Sequence, residues 1–179
     1  MRNKVVVATV AVIITVIFSA IFVIGQQTIR LLANMPQIQV AQDTAQSLSS
    51  GTKPEVAIAS NQKVNLATSS AGFVIIYGKT GKVIAGTGEL DGEVPVIPYG
   101  VLQHIKPPGY NAVTWQPRPG VRIASVEVAT DHYYVLAGRS LSEPEKLVNT
   151  ITKLTFVGYI ASLLSLLAGW FIYSKTKPA

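Results

Sequence analysis

Cysteine is absent from the 179 residues, which excludes a disulfide framework, a thiol nucleophile and any zinc site built on Cys ligands. Charge is scarce too: Asp, Glu, Lys and Arg make up 13% of the chain, about half the roughly 25% of an ordinary soluble protein. With 49% hydrophobic residues, this composition excludes a disordered chain and a soluble coiled coil. The length suits one domain of ordinary size and not two. Histidine occurs only at His104 and His132, and neither has a second His or a carboxylate three or four residues away. No metal-ligand spacing results, and no metal or cofactor is expected.

What the chain does have is two long apolar runs, one near each end. Residues 5–24 and 154–173 each contain 20 residues without a charge. At 1.5 Å rise per residue, about 20 apolar residues cross a hydrocarbon core of about 30 Å, so both runs predict transmembrane helices. Four of the 15 basic residues (Arg2, Lys4, Lys175 and Lys177) flank these runs, and the other 11 share residues 25–153 with all 9 acidic residues. Short basic flanks stay in the cytoplasm. The expected layout is a cytoplasmic N-terminus (1–4), a first span (5–24), an extracytoplasmic domain (25–153), a second span (154–173) and a cytoplasmic tail (174–179). The net charge of +6 is then a topology signal, and nucleic-acid binding loses its main support. A cleaved signal peptide ending at Val23-Ile24-Gly25 is the competing reading, although its apolar region would normally span only 7–15 residues.

Small residues recur at four-residue spacing in both runs: Ala11, Thr15 and Ser19 in the first, and Ala161, Ser165 and Gly169 in the second. Such faces let helix backbones approach closely in lipid, predicting helix pairing within the chain or in a dimer.

Between the spans, residues 26–49 carry Ile38, Ala41, Ala45 and Leu48 at helical spacing, with Pro36 expected to kink or restart the helix near Met35. From Gly72 the period becomes that of strands. Residues 73–77 and 82–86, joined by Gly78-Lys79-Thr80-Gly81, predict a hairpin. Residues 88–99 read as loop. Residues 101–105 read as a short helix closed by Pro107-Pro108-Gly109, and three strands follow at 112–116, 121–129 and 133–138. Ser142-Glu143-Pro144-Glu145 has the form of a capping box opening a last helix that continues into the second span. The expected fold is α+β, with about five antiparallel strands between two long helices.

This order resembles the extracytoplasmic PAS-like or single-Cache sensor regions of bacterial sensor histidine kinases and chemoreceptors. The resemblance is carried by Gly72-Phe-Val-Ile-Ile-Tyr77, Gly81-Lys-Val-Ile-Ala85 and Tyr134-Val-Leu-Ala-Gly-Arg-Ser-Leu141. They look like the central hairpin of such a domain and its last strand leading into the exit helix. Residues 115–124, Trp-Gln-Pro-Arg-Pro-Gly-Val-Arg-Ile-Ala, are similar to a stretch in small uncharacterised two-span bacterial membrane proteins. The resemblance implies a ligand-sensing domain. Only residues 174–179 follow the second run, so no kinase domain is expected here and any output would pass through a partner.

Several residues were candidates for chemistry. Gly78-Lys79-Thr80 lacks the glycine of a phosphate-binding loop at position 73, which is Phe73. Ser69, Ser70 and Ser140 are nucleophiles by type alone, because no Gly-x-Ser-x-Gly elbow exists. Glu89, Asp91 and Glu93 alternate in a loop and read as a solvated acidic stretch, with cation binding as the alternative. Arg122 lies in register with Ala124, Val126 and Val128, and Arg139 with Tyr133, Val135 and Ala137. Were those faces to line a pocket, Arg122, Arg139, Tyr77, Trp115 and Tyr133 would form a site for a small anionic ligand, since guanidinium forks suit carboxylates and phosphates. The alternative is an Arg at a strand end, paired with Glu127 or Glu89 or exposed to water. No catalytic set is present, so the expected role is binding: a protein that crosses the lipid bilayer twice and carries an extracytoplasmic sensory domain, paired with itself or with another membrane protein. The alternative is an accessory subunit of an envelope complex that binds protein only.

Overall fold

The structure is a computed structural model and describes residues 2–105 and 109–176. Its elements run α1 (Arg2–Ser49), α2 (Pro54–Ala57), β1 (Val64–Asn65), β2 (Phe73–Gly78), β3 (Val83–Gly86), β4 (Gly88–Glu89), α3 (Tyr99–Gln103), β5 (Tyr110–Arg118), β6 (Val121–Ala129), β7 (Tyr133–Ser140) and α4 (Ser142–Thr176). The chain is of the α+β class, with two long helices flanking a five-stranded antiparallel sheet. By its contacts it divides into two units: Met1–Ile29 with Lys146–Ala179, and Arg30–Glu145.

In the first unit, α1 and α4 each contain a stretch long and apolar enough to cross a membrane, and neither stretch is buried within the chain. The two helices touch. Thr15 Oγ1 lies 3.1 Å from Tyr159 Oη, and the Phe18 and Tyr159 rings are 5.8 Å apart. Gly158 packs so tightly that an added Cβ would lie 3.1 Å from the Phe18 ring. Of the small residues at four-residue spacing, Thr15 and Ser19 line one groove between the helices, and Ser165 and Gly169 line another.

The second unit is built on the sheet, in the order β3-β2-β7-β6-β5. The first strand of this sheet thus pairs with the last: Phe73 stands opposite Gly138 and Gly78 opposite Tyr133. The β2–β3 turn closes at Gly78-Lys79-Thr80-Gly81, with Gly78 N–H donating to the Lys82 carbonyl. Between β5 and β6, Pro119-Gly120 makes the turn, and Gly120 takes φ +81°, which an L side chain rarely adopts.

Both faces of the sheet are covered, which is why β2 and residues 123–127 of β6 are buried continuously instead of alternately. One face presents Val74, Ile76, Val126, Val135 and Ala137, which pack with Ala41, Ala45 and Leu48 of α1 and with Ile58. The small Ala41 and Ala45, one turn apart, form the helix stripe that meets the sheet. The other face presents Phe73, Ile75, Tyr77, Ile123 and Leu136 beneath Val64, Leu66, Ile97, Leu102 and Ile105.

Several expectations need correction. Helix α1 runs through Pro36 without restarting. Proline removes one N–H from the ladder, and because Pro36 is exposed, the freed carbonyl can be solvated. Residues 88–99 are not all loop: β4 pairs in parallel with β1, and Leu90 and Glu93 exchange backbone hydrogen bonds around Asp91-Gly92. The expected capping box is replaced by another arrangement. Ser140 Oγ accepts from the Ser142 N–H, and the Glu145 carboxylate is engaged by Arg122. Pro107 and Pro108, expected to close the short helix, lie outside the described residues.

Candidate functional site

Strand alternation decides which side chains can meet. On β6, Ile123, Ser125 and Glu127 point to one face, and Arg122, Ala124 and Val126 to the other. On β7, Tyr134, Leu136 and Gly138 share the face of Ile123, while Tyr133, Val135, Ala137 and Arg139 share that of Val126. The five residues expected to line one pocket are consequently split by the sheet. Tyr77 and Trp115 belong to the cluster with Ile123 and Leu136. Arg122, Arg139 and Tyr133 lie on the α1 side.

Neither arginine pairs with Glu127 or Glu89. Arg122, at the start of β6, is ion-paired with Glu145 in the first turn of α4. Beside that pair, the Leu141 N–H donates 2.8 Å to the Arg122 carbonyl, and the Glu145 N–H donates 2.9 Å to the Leu141 carbonyl. Arg122 therefore clamps the start of α4 to the sheet. Arg139 stands opposite Ala124 in register; its side chain is half-buried, and its Nε, fully shielded, has no hydrogen-bond partner among the described residues.

The acidic stretch is mostly partnered. Glu89 takes Lys63, while Asp91 receives two hydrogen bonds from Arg118 Nη1, at 2.6 and 2.7 Å. Together with Glu93, Val94, Pro98 and Trp115, the Asp91–Arg118 pair lines an open cleft of about 610 Å³. Among the described residues no group of three His, Asp or Glu side chains is placed to hold a metal ion. His104 is exposed, with Nδ1 2.5 Å from the Gly100 carbonyl, and His132 packs edge-on against Tyr133. Of the candidate nucleophiles, Ser69 accepts from the Ala71 N–H, and Ser140 donates to Ser142 Oγ.

The most unusual side chain on the sheet is Glu127, expected from the sequence only as an ion-pair partner for an arginine. Glu127 is 0% exposed. Its Oε1 accepts a 2.5 Å hydrogen bond from Ser125 Oγ, and its Oε2 has no partner among the described residues. Burial, partly offset by the Ser125 hydroxyl, raises its pKa from 4.5 to about 7. Tyr77 is equally buried, and its hydroxyl donates 3.2 Å to the Pro95 carbonyl. Its pKa is raised first by burial, and the charge of Glu127 also acts to raise it, which places the two groups within electrostatic reach. The signal was present in the sequence: Glu127 is four residues from Ile123 and five from Arg122, so alternation puts it on the inward face of Ile123 and opposite to Arg122.

No family model, curated protein or solved structure matches the chain.

Proposed function

We propose that the chain is a two-pass membrane protein whose central α+β domain, of PAS/Cache-like design, lies outside the cytoplasm and senses by binding. The observation that carries this reading is the wiring of the sheet to the apolar helices. The last strand, β7, lies beside the first and ends two residues before α4, the helix that contains the second apolar stretch. The Arg122–Glu145 pair and the Leu141 hydrogen bond fasten the first turn of α4 to β6. A stimulus that favours one packing of the sheet over another would thereby bias the first turn of α4. Four basic residues flanking the apolar stretches support cytoplasmic termini. Output would pass through the membrane helices to a partner protein, by binding and not by turnover.

The open cleft beside Trp115 favours a second reading, an accessory subunit whose domain docks protein and no small ligand. Purified full-length chain in detergent, screened by thermal shift against amino acids, organic acids and nucleotides, separates the two. A saturable shift supports the sensor. Absence of any shift, together with co-purification of a defined membrane complex, refutes the small-ligand version.

A further inference from the structure

An ionised carboxylate inside a protein needs donors for both oxygens or a cation nearby. Glu127 has neither. Its strand, β6, is internal to the sheet, and the residues opposite it in register are Leu136 on β7 and Asn111 on β5, which do not ionise. Ser125, two residues along the same strand, supplies the one hydroxyl donor. Across the face stand two phenols, Tyr134 on β7, opposite Ala129 in register, and Tyr77 on β2, which burial keeps protonated throughout the relevant range. The layer above this face contributes apolar Ile97, Leu102 and Ile105. The imidazole on that layer, His104, is exposed and turned to the Gly100 carbonyl. The ammonium of Lys79 lies over the Tyr134 ring, 4.4 Å from its centroid. Among the described residues nothing positive faces the carboxylate.

Beyond β6 the sheet has a single further strand, β5, which is its edge. Asn111, opposite Glu127, is half-buried, and its neighbour Tyr110 is 50% exposed. Residues 110–114 are thus the edge segment beside Glu127, with no other strand between them.

We propose that Glu127 is a proton-operated latch: when neutral it lets the β5 edge close over the sheet, and when ionised it releases that edge to water. The inference names protons as a stimulus for the sensing domain proposed above and rests on that reading for its purpose. The direction follows from burial, which holds the carboxyl protonated to about pH 7, so acid closes the latch and alkali opens it. The same strand carries Arg122, the clamp on α4.

Amide hydrogen exchange on the full chain in detergent tests the latch, with rates corrected for the intrinsic effect of pH. From pH 5 to 8, opening of residues 110–114 should rise on the order of 50-fold, the linkage expected if opening restores the ordinary carboxyl pKa. Residues 73–78, buried in the centre of the sheet, report opening of the whole domain and should stay better protected than residues 110–114 at every pH. Glu127→Gln should abolish the dependence, and Ser125→Ala, which removes the donor that favours the ionised form, should move the midpoint to higher pH. A wild-type edge whose opening does not change with pH would overturn the proposal. So would an undiminished response in Glu127→Gln, or equal protection of residues 73–78 and 110–114 at every pH, which would mean that the edge opens only with the whole domain. Exchange reads the latch whichever side of a membrane the domain faces, so its failure is distinct from failure of the topology.

Discussion

Replacing Glu127 by Gln should remove a pH dependence of stability that the wild-type chain carries between about pH 4.5 and 7. The sign follows from linkage. In the unfolded chain the carboxyl ionises near its ordinary value of 4.5, whereas in the folded chain burial keeps it protonated to about 7. Between those values the folded state holds more protons, so stability is greatest at low pH and falls as pH rises through the window. A shift from 4.5 to 7 at 1.36 kcal/mol per unit amounts to about 3 kcal/mol. Gln keeps the volume and a hydrogen-bonding head group but never ionises. The two proteins should therefore be of similar stability at pH 4, and above pH 7 the variant should be more stable by about 3 kcal/mol, on the order of 10 °C in Tm. Urea unfolding in detergent can follow this through Trp115, a buried residue of β5, in a Trp170→Phe background. A difference between the two proteins that stays constant from pH 4 to 8 refutes the reasoning. A wild-type protein that gains on the variant with rising pH would mean that ionised Glu127 has a partner.

Two further outcomes test the packing and the junction. An added Cβ at Gly138 would lie 2.6 Å from Phe73 Cζ, and that ring is buried, so Gly138→Ala should cost about 1–3 kcal/mol in urea unfolding. Gly100→Ala, with nothing within 4 Å, is the control and should be near neutral. Arg122 and Glu145 are about half-exposed, so a double-mutant cycle with Arg122→Ala and Glu145→Ala should give a coupling below about 1 kcal/mol. A larger coupling would show that the clamp is better shielded from solvent than its exposure indicates.

The elements that depend on local pattern were readable from the sequence. Short runs rich in Val, Ile and aromatics, bounded by Gly and other turn residues, located β2, β3, β6 and β7, and Gly78 to Gly81 located their first turn. Ala41, Ala45 and Leu48 marked the buried stripe of α1, because a helix on a sheet must show one face. Pairing over long distances was not readable. The two-residue strands β1 and β4 are too short to show a period, and they exist only because tertiary contacts bring Val64 beside Gly88. The capping pattern at Ser142 misled, since the Glu145 carboxylate pairs with Arg122, contributed by β6. For the candidate site, the lesson lies in parity. Arg122, Arg139, Tyr77 and Trp115 were grouped by chemistry, yet the pleat separates them. Counting residues from Ile123 would have placed Glu127 in the interior.

The chain's lack of cysteine offers the most direct test of its proposed layout in the membrane, because each introduced thiol is the only one. Ser60 is exposed after α2, and Ser174 is exposed near the end of α4. Ser60→Cys and Ser174→Cys, each expressed in sealed cells, should be treated with a membrane-impermeant maleimide before and after permeabilisation. The account predicts that Cys introduced at 60 is labelled in sealed cells, and that Cys introduced at 174 is labelled only after permeabilisation. Protection at 60, or labelling at 174 in sealed cells, would contradict it.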